Sequence, residues 1–427
     1  MMRLTSRFLP ALVVLLLVVQ LVAPWRGWAI MLLGLGAAWG VSWLWARSLM
    51  RGLVLRREMR FGWAQVGDRL EERFTIVNYG WAPALWVEVE DHSTMPGYAV
   101  NRATGVGSYP AVHQWHTRGL CTQRGLFTLG PTTLHTGDPF GLYEVQIHHP
   151  ASATLMVTPP ILALPEIEVA PGGRAGDGRP RPYTLERTLT SATTRAYAAG
   201  DPLNWVHWPS TARHGDLTVR LFDGAPVGDW WIVLDAAASV KAGEGMASTE
   251  EHGIVLAASL ADQGLRLGRN VGFVAHGSEP VWLMPRHDPD QRLRILRALA
   301  LLRPGALSLE GLLERSRGAL GRYASVILIT PDVSGRWIHR LLAMQRRGIV
   351  PTVLLLDPHT FGGPRRAANA SSQLSALGIA HHVIPRELLD RPGLIPGQQG
   401  HWEWKVGGMG RAIVTRRPTE LEWKELG

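Results

Sequence analysis

Two aspartates follow buried strands that the sequence predicts in the carboxyl-terminal half of the chain. Asp235 comes directly after the apolar run 231–234, and Asp332 follows the run 327–331. Ligands of doubly wound α/β domains bind outside the carboxyl ends of the strands, so both carboxylates are expected at that edge. Because carboxylates are good ligands for Mg²⁺, a metal-dependent hydrolase that uses Asp235 and Asp332 is one hypothesis for the function.

The elements around these aspartates alternate between strands and helices. Short apolar runs predict strands, and amphipathic segments between them predict helices, as expected for a mostly parallel sheet covered on both faces. The sequence thus predicts a doubly wound α/β domain over residues 229–390. Its predicted strands are 229–235, 270–275, 281–284, 324–330, 350–356 and 381–384, and its predicted helices are 254–268, 288–302, 309–320 and 336–347.

Residues 61–165 have the pattern of a different domain. Leu85, Val87 and Val89 alternate with polar or aromatic residues, the period of a half-buried strand, and similar runs recur between turn signals. This spacing predicts a small antiparallel β-sandwich. Residues 166–228 are predicted to be a linker, rich in Pro, Gly and Arg over 170–182, followed by a signature segment, and residues 391–427 a carboxyl-terminal extension.

The first 60 residues predict a transmembrane hairpin. Residues 8–25 and 27–46 lack charged side chains, and each run is long enough for a helix that crosses a bilayer. Arginines flank the outer ends of both runs, which predicts a multi-pass protein of the inner membrane with both termini and the soluble domains in the cytoplasm. A cleaved signal peptide is the competing interpretation, but a second apolar run so close behind it favours the hairpin.

The net charge of +9 is concentrated in this segment. Residues 1–60 hold eight arginines and one acid, whereas the remaining 367 residues hold 36 basic and 34 acidic groups. A soluble part that is nearly neutral argues against nucleic acid as a partner and leaves the lipid bilayer as the partner of the basic segment. The single cysteine, Cys121, excludes an intramolecular disulfide.

Two stretches of the sequence carry a recognisable pattern. The first lies before the α/β domain, and its signature residues are Arg195, Tyr197, Gly200, Asp201, Trp208, Arg213 and Arg220. The second covers 124–131 and 138–142. The first stretch resembles the signature of the bacterial family called domain of unknown function 58, and the second resembles another recurrent segment of that family.

The resemblance implies an α/β domain similar to the von Willebrand factor A fold. That fold often holds Mg²⁺ with an Asp-x-Ser-x-Ser loop, a threonine and a second aspartate. Asp235, Ser239 and Asp332 match this pattern, but Ala237 replaces the first serine and only Ser308 stands near the place of the threonine. We therefore expect a degenerate metal-ion-dependent adhesion site with no resident cofactor, and bound Mg²⁺ is the alternative.

Two roles are open for the signature segment. In the structural role, Gly200 and Asp201 form a turn before a packed pair of Trp205 and Trp208, while Arg213 and Arg220 pair with Asp201 or Asp223. In the other role, the segment binds a partner protein.

The leading hypothesis for the function is a non-enzymatic, membrane-anchored interaction scaffold without catalytic residues. The family resemblance implies a MoxR-like AAA+ ATPase as partner in the assembly or activation of other complexes, and a transglutaminase-like membrane protein as a further associate. The metal-dependent hydrolase remains the rival hypothesis.

Overall fold

The computed structural model describes residues 1–59, 62–98, 100–162, 164, 167–170, 187–197, 206–224, 229–321, 324–388, 403–406, 412–416 and 424–425. The chain divides into two compact units, which are described separately. The first unit is Met1–Pro160 together with the described part of Ile395–Gly427, and the second is Ile161–Leu394.

Two apolar helices begin the first unit, α1 (Phe8–Val22) and α2 (Arg26–Gly52). Among the described residues, α2 is the helix that is long and apolar enough to cross a membrane, and most of that stretch is exposed. Helix α1 has 15 residues and spans about 22 Å, less than the hydrocarbon core of a bilayer. One candidate membrane helix is therefore present, and the two-pass hairpin remains a prediction.

The rest of the first unit consists of strands, most of them antiparallel. Their sheets run in the orders β1-β10-β9-β5-β6, β22-β2-β4-β7, β3-β11-β8 and β20-β21, and β3 pairs with β11 in parallel. Strands from the three larger sheets share one hydrophobic core. The strands are β1 (Met2–Leu4), β2 (Leu53–Met59), β3 (Trp63–Gln65), β4 (Arg69–Asn78), β5 (Ala84–Asp91), β6 (Arg102–Val106), β7 (Ala111–Leu120), β8 (Gly125–Leu129), β9 (Thr132–Gly137), β10 (Tyr143–His149), β11 (Ala153–Thr158), β20 (Glu403–Val406), β21 (Ala412–Arg416) and β22 (Lys424–Glu425).

Strand β2 corrects the predicted extent of the membrane segment. The sequence predicts that its residues form the basic flank of the hairpin, but Leu53, Leu55, Arg57 and Met59 point inward in alternation, and the strand pairs with β4. Arg57 is fully buried rather than at a membrane surface. Its guanidinium binds Glu72 at 2.8 Å and Asp91 at 2.6 Å, which explains how a charge counted toward membrane topology is tolerated in the core.

The second unit contains the predicted doubly wound sheet. Its six strands lie in the order β16-β15-β14-β17-β18-β19 and are parallel, except that β16 runs antiparallel to β15 at one edge. Separate hydrophobic clusters form on its two faces, against α4 and α5 on one and α6, α7 and α8 on the other. The elements are β12 (Arg187–Ala196), α3 (Trp208–His214), β13 (Thr218–Gly224), β14 (Trp230–Leu234), α4 (Thr249–Arg266), β15 (Val271–His276), β16 (Pro280–Arg286), α5 (Pro289–Leu301), α6 (Leu309–Ser316), β17 (Ser325–Thr330), α7 (Ile338–Gln345), β18 (Val350–Leu356), α8 (Ala368–Ala376) and β19 (Ala380–Ile384).

The α/β unit begins earlier than the predicted boundary at residue 229. Ile161 and Ile167 are buried in one of its two hydrophobic clusters. The backbone N–H of Ala170 donates to Thr352 Oγ1 at 3.0 Å, and its carbonyl accepts from Ser325 Oγ at 3.0 Å. The start of the predicted linker therefore packs on the sheet.

Removal of the buried guanidinium should destabilise the first unit strongly. We expect Arg57→Ala to lower the free energy of unfolding by about 3–5 kcal/mol, because it leaves two buried carboxylates without a cation. Arg56→Ala, the exposed neighbour on β2, is the control and should change it by less than about 0.5 kcal/mol. Thermal unfolding of the full chain in detergent measures both, and equal stabilities of the two variants would contradict the prediction.

Candidate functional site

Asp235 follows β14 directly and is buried at the carboxyl edge of the sheet. Both of its carboxylate oxygens already accept hydrogen bonds. Oδ1 accepts from the backbone N–H of Ala237 at 3.1 Å, and Oδ2 accepts from the Thr330 hydroxyl at 2.7 Å. The carboxylate therefore ties its own loop to the end of the neighbouring strand β17.

The environment of Asp235 raises the pKa of its carboxyl to about 6. Burial is the main cause, because it removes the water that would stabilise the charged form. The hydrogen bonds from Thr330 and Ala237 act in the opposite direction, and the charge of Asp332 raises the pKa further. The carboxyl group of Asp235 is thus held by the dipoles of a backbone N–H and a hydroxyl group.

Asp332 lies two residues after β17 and is half-buried. Its backbone N–H donates to Thr330 Oγ1 at 2.9 Å, so the Thr330 hydroxyl connects the loops of both aspartates. Its carboxylate accepts from the N–H of Ser334 at 2.8 Å, and its carbonyl accepts from Trp337 Nε1 at 2.9 Å. The structure brings the two predicted aspartates to one edge of the sheet and gives each of them a local partner.

A third aspartate at this edge was missed by the sequence analysis. Asp357 directly follows β18, and its Oδ1 accepts from the N–H groups of His359 at 3.3 Å and Ala367 at 3.0 Å. The signal was present, since Asp357 follows an apolar strand as Asp235 does. Aspartates after three parallel strands therefore each fix the backbone of the loop that follows.

The two candidate serines lie in separate loops. Ser239 is exposed within the short 3-10 turn Ala238–Val240. Ser308 is the amino-terminal cap of α6, where its hydroxyl accepts from the N–H of Gly311 at 3.4 Å. Ala237 pairs by backbone hydrogen bonding with the loop at Gly305 and offers no side-chain oxygen.

This arrangement offers a divalent ion few side-chain ligands. Within the part of the chain that the structure describes, no three His, Cys, Asp or Glu side chains are grouped as metal ligands. Each oxygen of Asp235 already accepts one hydrogen bond, and the position of the first serine is an alanine. Mg²⁺ binds one or two carboxylates and keeps several waters, so the alanine removes a protein oxygen from a ligand set that already depends on water.

The cavity beside Asp235 is also too small for an organic substrate. It has a volume of about 20 Å³, enough for about one water molecule, whereas pockets for small-molecule ligands measure about 300–1,000 Å³. Lys241 and Glu250 line it and form an ion pair at 2.7 Å. The edge is a set of fixed loops around a small cavity.

The described part of the signature segment forms a two-stranded antiparallel ribbon and a short helix. Strands β12 and β13 pair with Arg195 opposite Val219, and the N–H of Tyr197 donates to the carbonyl of Leu217 at 2.8 Å. Arg220 lies in β13, while Gly200 and Asp201 are outside the described residues, as are the pairings predicted for Asp201.

Trp208 is exposed, whereas the sequence predicts that it packs against Trp205, which lies outside the described residues. Trp208 is the first residue of α3, and 67% of its surface is exposed. Helix α3 packs on β13. Arg213 on the same helix and Leu217 just after it are exposed as well. The segment therefore presents an apolar and cationic surface to solvent.

The family comparison agrees with the predicted resemblance. A model described as "Protein of unknown function DUF58" matches residues 193–365, which include the signature segment and most of the doubly wound sheet. "Uncharacterized protein YeaD" of Bacillus subtilis (strain 168) is 22% identical over 302 residues, covering 68% of this chain and 73% of the relative. The resemblance to this family is thereby confirmed.

Solved structures similar to this chain include von Willebrand factor A domains. The VWA domain of SpRpn10 is 14% identical, with a TM-score of 0.28, and the match covers 40% of this chain and 92% of that domain. A von Willebrand factor type A protein from Catenulispora acidiphila is 11% identical, with a TM-score of 0.25, and the match covers 38% and 42% of the two chains.

The raised pKa of Asp235 should make stability depend on pH. Between about pH 4 and 6 the folded protein keeps a proton that the unfolded chain has released, so the free energy of unfolding falls as pH rises, by up to about 3 kcal/mol. Asp235→Asn removes this titration and keeps an acceptor for Ala237. Urea unfolding of both proteins at pH 4–7 should therefore show a difference that grows with pH in favour of the variant, and parallel profiles would contradict it.

Magnesium should not stabilise the chain. A site with a millimolar Kd would add about 1.4 kcal/mol at a tenfold excess of ion over Kd. We expect no shift of Tm on addition of Mg²⁺ or Mn²⁺, in wild type or in Asp235→Ala. A reproducible rise in wild type that Asp235→Ala abolishes would show that the edge binds metal after all.

Proposed function

We propose that this protein is a membrane-anchored scaffold that binds other proteins and has no catalytic activity of its own. The observation that carries the proposal is the exposure of the signature segment. Trp208 and Arg213 point to solvent within the stretch that matches the family model. Tryptophan and arginine are enriched among the residues that dominate binding energy at protein interfaces.

The geometry of the α/β edge supports a scaffold rather than the hydrolase. Asp235, Asp332 and Asp357 use their carboxylates to fix backbone loops. A cavity that holds about one water has no room for a substrate. We propose that the domain is a degenerate relative of the von Willebrand factor A fold, whose loops are held by hydrogen bonds in place of a metal ion.

The anchor in this proposal is the pair α1 and α2. Strand β1 precedes α1 and pairs with β10, while β2 follows α2 in the same unit, so both ends of the helix pair meet one domain. A hairpin whose two helices both cross the inner membrane is consistent with this connection, because it returns the chain to the side from which it entered. The arginines near those ends favour the cytoplasmic side for both termini and both soluble units.

The partner that we propose is a MoxR-like AAA+ ATPase, as the family resemblance implies. A transglutaminase-like membrane protein is a further proposed associate. The signature surface would dock the ATPase, and the membrane anchor would hold the assembly at the inner membrane, where it assembles or activates other complexes.

The signature surface can be tested by affinity capture from native membranes with a slowly hydrolysed ATP analogue. We expect wild type to recover an AAA+ ATPase, and the double variant Trp208→Ala, Arg213→Glu to recover at least about tenfold less, as loss of hot-spot residues implies. Leu267→Ala, a residue that is 62% exposed near the end of α4, is the control and should recover as much as wild type. Repeated recovery of no AAA+ ATPase by wild type would refute the partner.

A further inference from the structure

An open groove lies where α2 enters the β-sheet unit. It has a volume of about 590 Å³, and its lining includes Arg47, Ser48 and Arg51 of α2 and the aromatic residues Tyr79, Trp81 and Tyr109. The lining contains no carboxylate. The groove thus combines two fixed positive charges with exposed aromatic rings.

The floor of the groove is held by close backbone packing. The N–H of Tyr79 donates to the carbonyl of Gly52 at 2.8 Å. A Cβ on Gly52 would lie 2.4 Å from the backbone nitrogen of Gly80, so the end of the helix and the β4–β5 turn approach each other as closely as glycines allow. The buried Asn78 side chain holds this turn by donating to the carbonyls of Ala82 and Gly107 at 2.9 and 2.8 Å.

The two arginines of the groove have no carboxylate partner in the described structure. The Arg47 guanidinium lies 5.0 Å from the centre of the Trp43 ring, and Arg51 is exposed. A guanidinium binds a phosphate through two parallel hydrogen bonds, so a pair of them in a groove without acids is complementary to a phosphodiester.

The groove lies past the apolar part of α2 that the β-sheets leave exposed. Ile30, Met31 and Leu33 of α2 are exposed, whereas Trp39 donates to the Tyr143 hydroxyl and Ala46 is buried against β10. Arg47 is the next residue, so in the proposed anchor the groove faces the membrane surface. The exposed rings of Tyr79, Trp81 and Tyr109 are 53%, 59% and 62% accessible, and such amphipathic aromatics favour the membrane interface.

We propose that this groove binds the headgroup of an anionic glycerophospholipid. Arg47 and Arg51 bind its phosphate, and the aromatic rings pack against the glycerol region, while the exposed Leu44 extends the surface toward the acyl chains. The inference rests on the membrane anchoring of the proposed function and adds a specific lipid site to it.

Native mass spectrometry of the full chain in detergent tests the proposal, with phosphatidylglycerol and phosphatidylcholine of the same acyl chains as probes. Wild type should bind phosphatidylglycerol about tenfold more tightly. The double variant Arg47→Gln, Arg51→Gln should lose that preference. Arg56→Gln, Arg69→Gln removes the same charge from exposed positions outside the groove and should keep it.

Three results would overturn the lipid site: equal binding of both lipids by wild type, equal loss of preference in both double variants, and displacement of phosphatidylglycerol by millimolar inorganic phosphate, which would indicate a site for free anions. Carbonate extraction of membranes separates this inference from the proposed function. Release of wild type from the membrane refutes the anchor, whereas a retained protein without lipid preference refutes the groove alone.

Discussion

The buried guanidinium of Arg57 is the interaction on which the first unit depends. It contacts Glu72, Asp91, Ser93 and Thr132, so one side chain joins three strands and a loop. The Tyr98 hydroxyl donates to the same Glu72, and burial together with that carboxylate raises the pKa of Tyr98. Buried ions are tolerated when their partners satisfy all of their hydrogen bonds, which fixes a single geometry. Because β2 follows α2 directly, this buried cluster lies close to the point where the chain passes from α2 into the sheet.

The carboxyl edge of the α/β sheet also contains a buried carboxylate, which is stabilised by hydrogen bonds from neutral groups. Asp235 is buried as well, but its carboxylate accepts hydrogen bonds from a hydroxyl group and a backbone N–H instead of a guanidinium. The pKa of Asp235 is raised because these hydrogen bonds offset only part of the free-energy cost of desolvation. The Thr330 hydroxyl bonds both to this carboxylate and to the backbone N–H of Asp332, so hydrogen bonds join the two loops. In the proposed scaffold, this hydrogen-bonded edge replaces the metal as the element that keeps the loops in one conformation.

The two surfaces that we propose for binding consist of exposed side chains. The signature segment presents an exposed tryptophan, Trp208, and an exposed arginine, Arg213, on α3. In the first unit, unpaired arginines and exposed aromatics lie together at the end of α2. The two surfaces suit different ligands, a protein for the first and a lipid for the second, which is the division expected of an anchored adaptor.

Within the α/β domain, the sequence by itself determined the kind and order of most elements, because their signals are local. Apolar runs predicted every strand of the doubly wound sheet, but α8 was missed because only Ala370 and Leu374 of that polar helix are buried. The sequence likewise predicted that Asp235 and Asp332 lie at the carboxyl ends of strands. Tertiary structure decided what the charges and rings do. Arg57 is a core ion rather than a membrane-flanking charge, and Trp208 is exposed rather than packed, because burial and pairing depend on residues that meet only after folding.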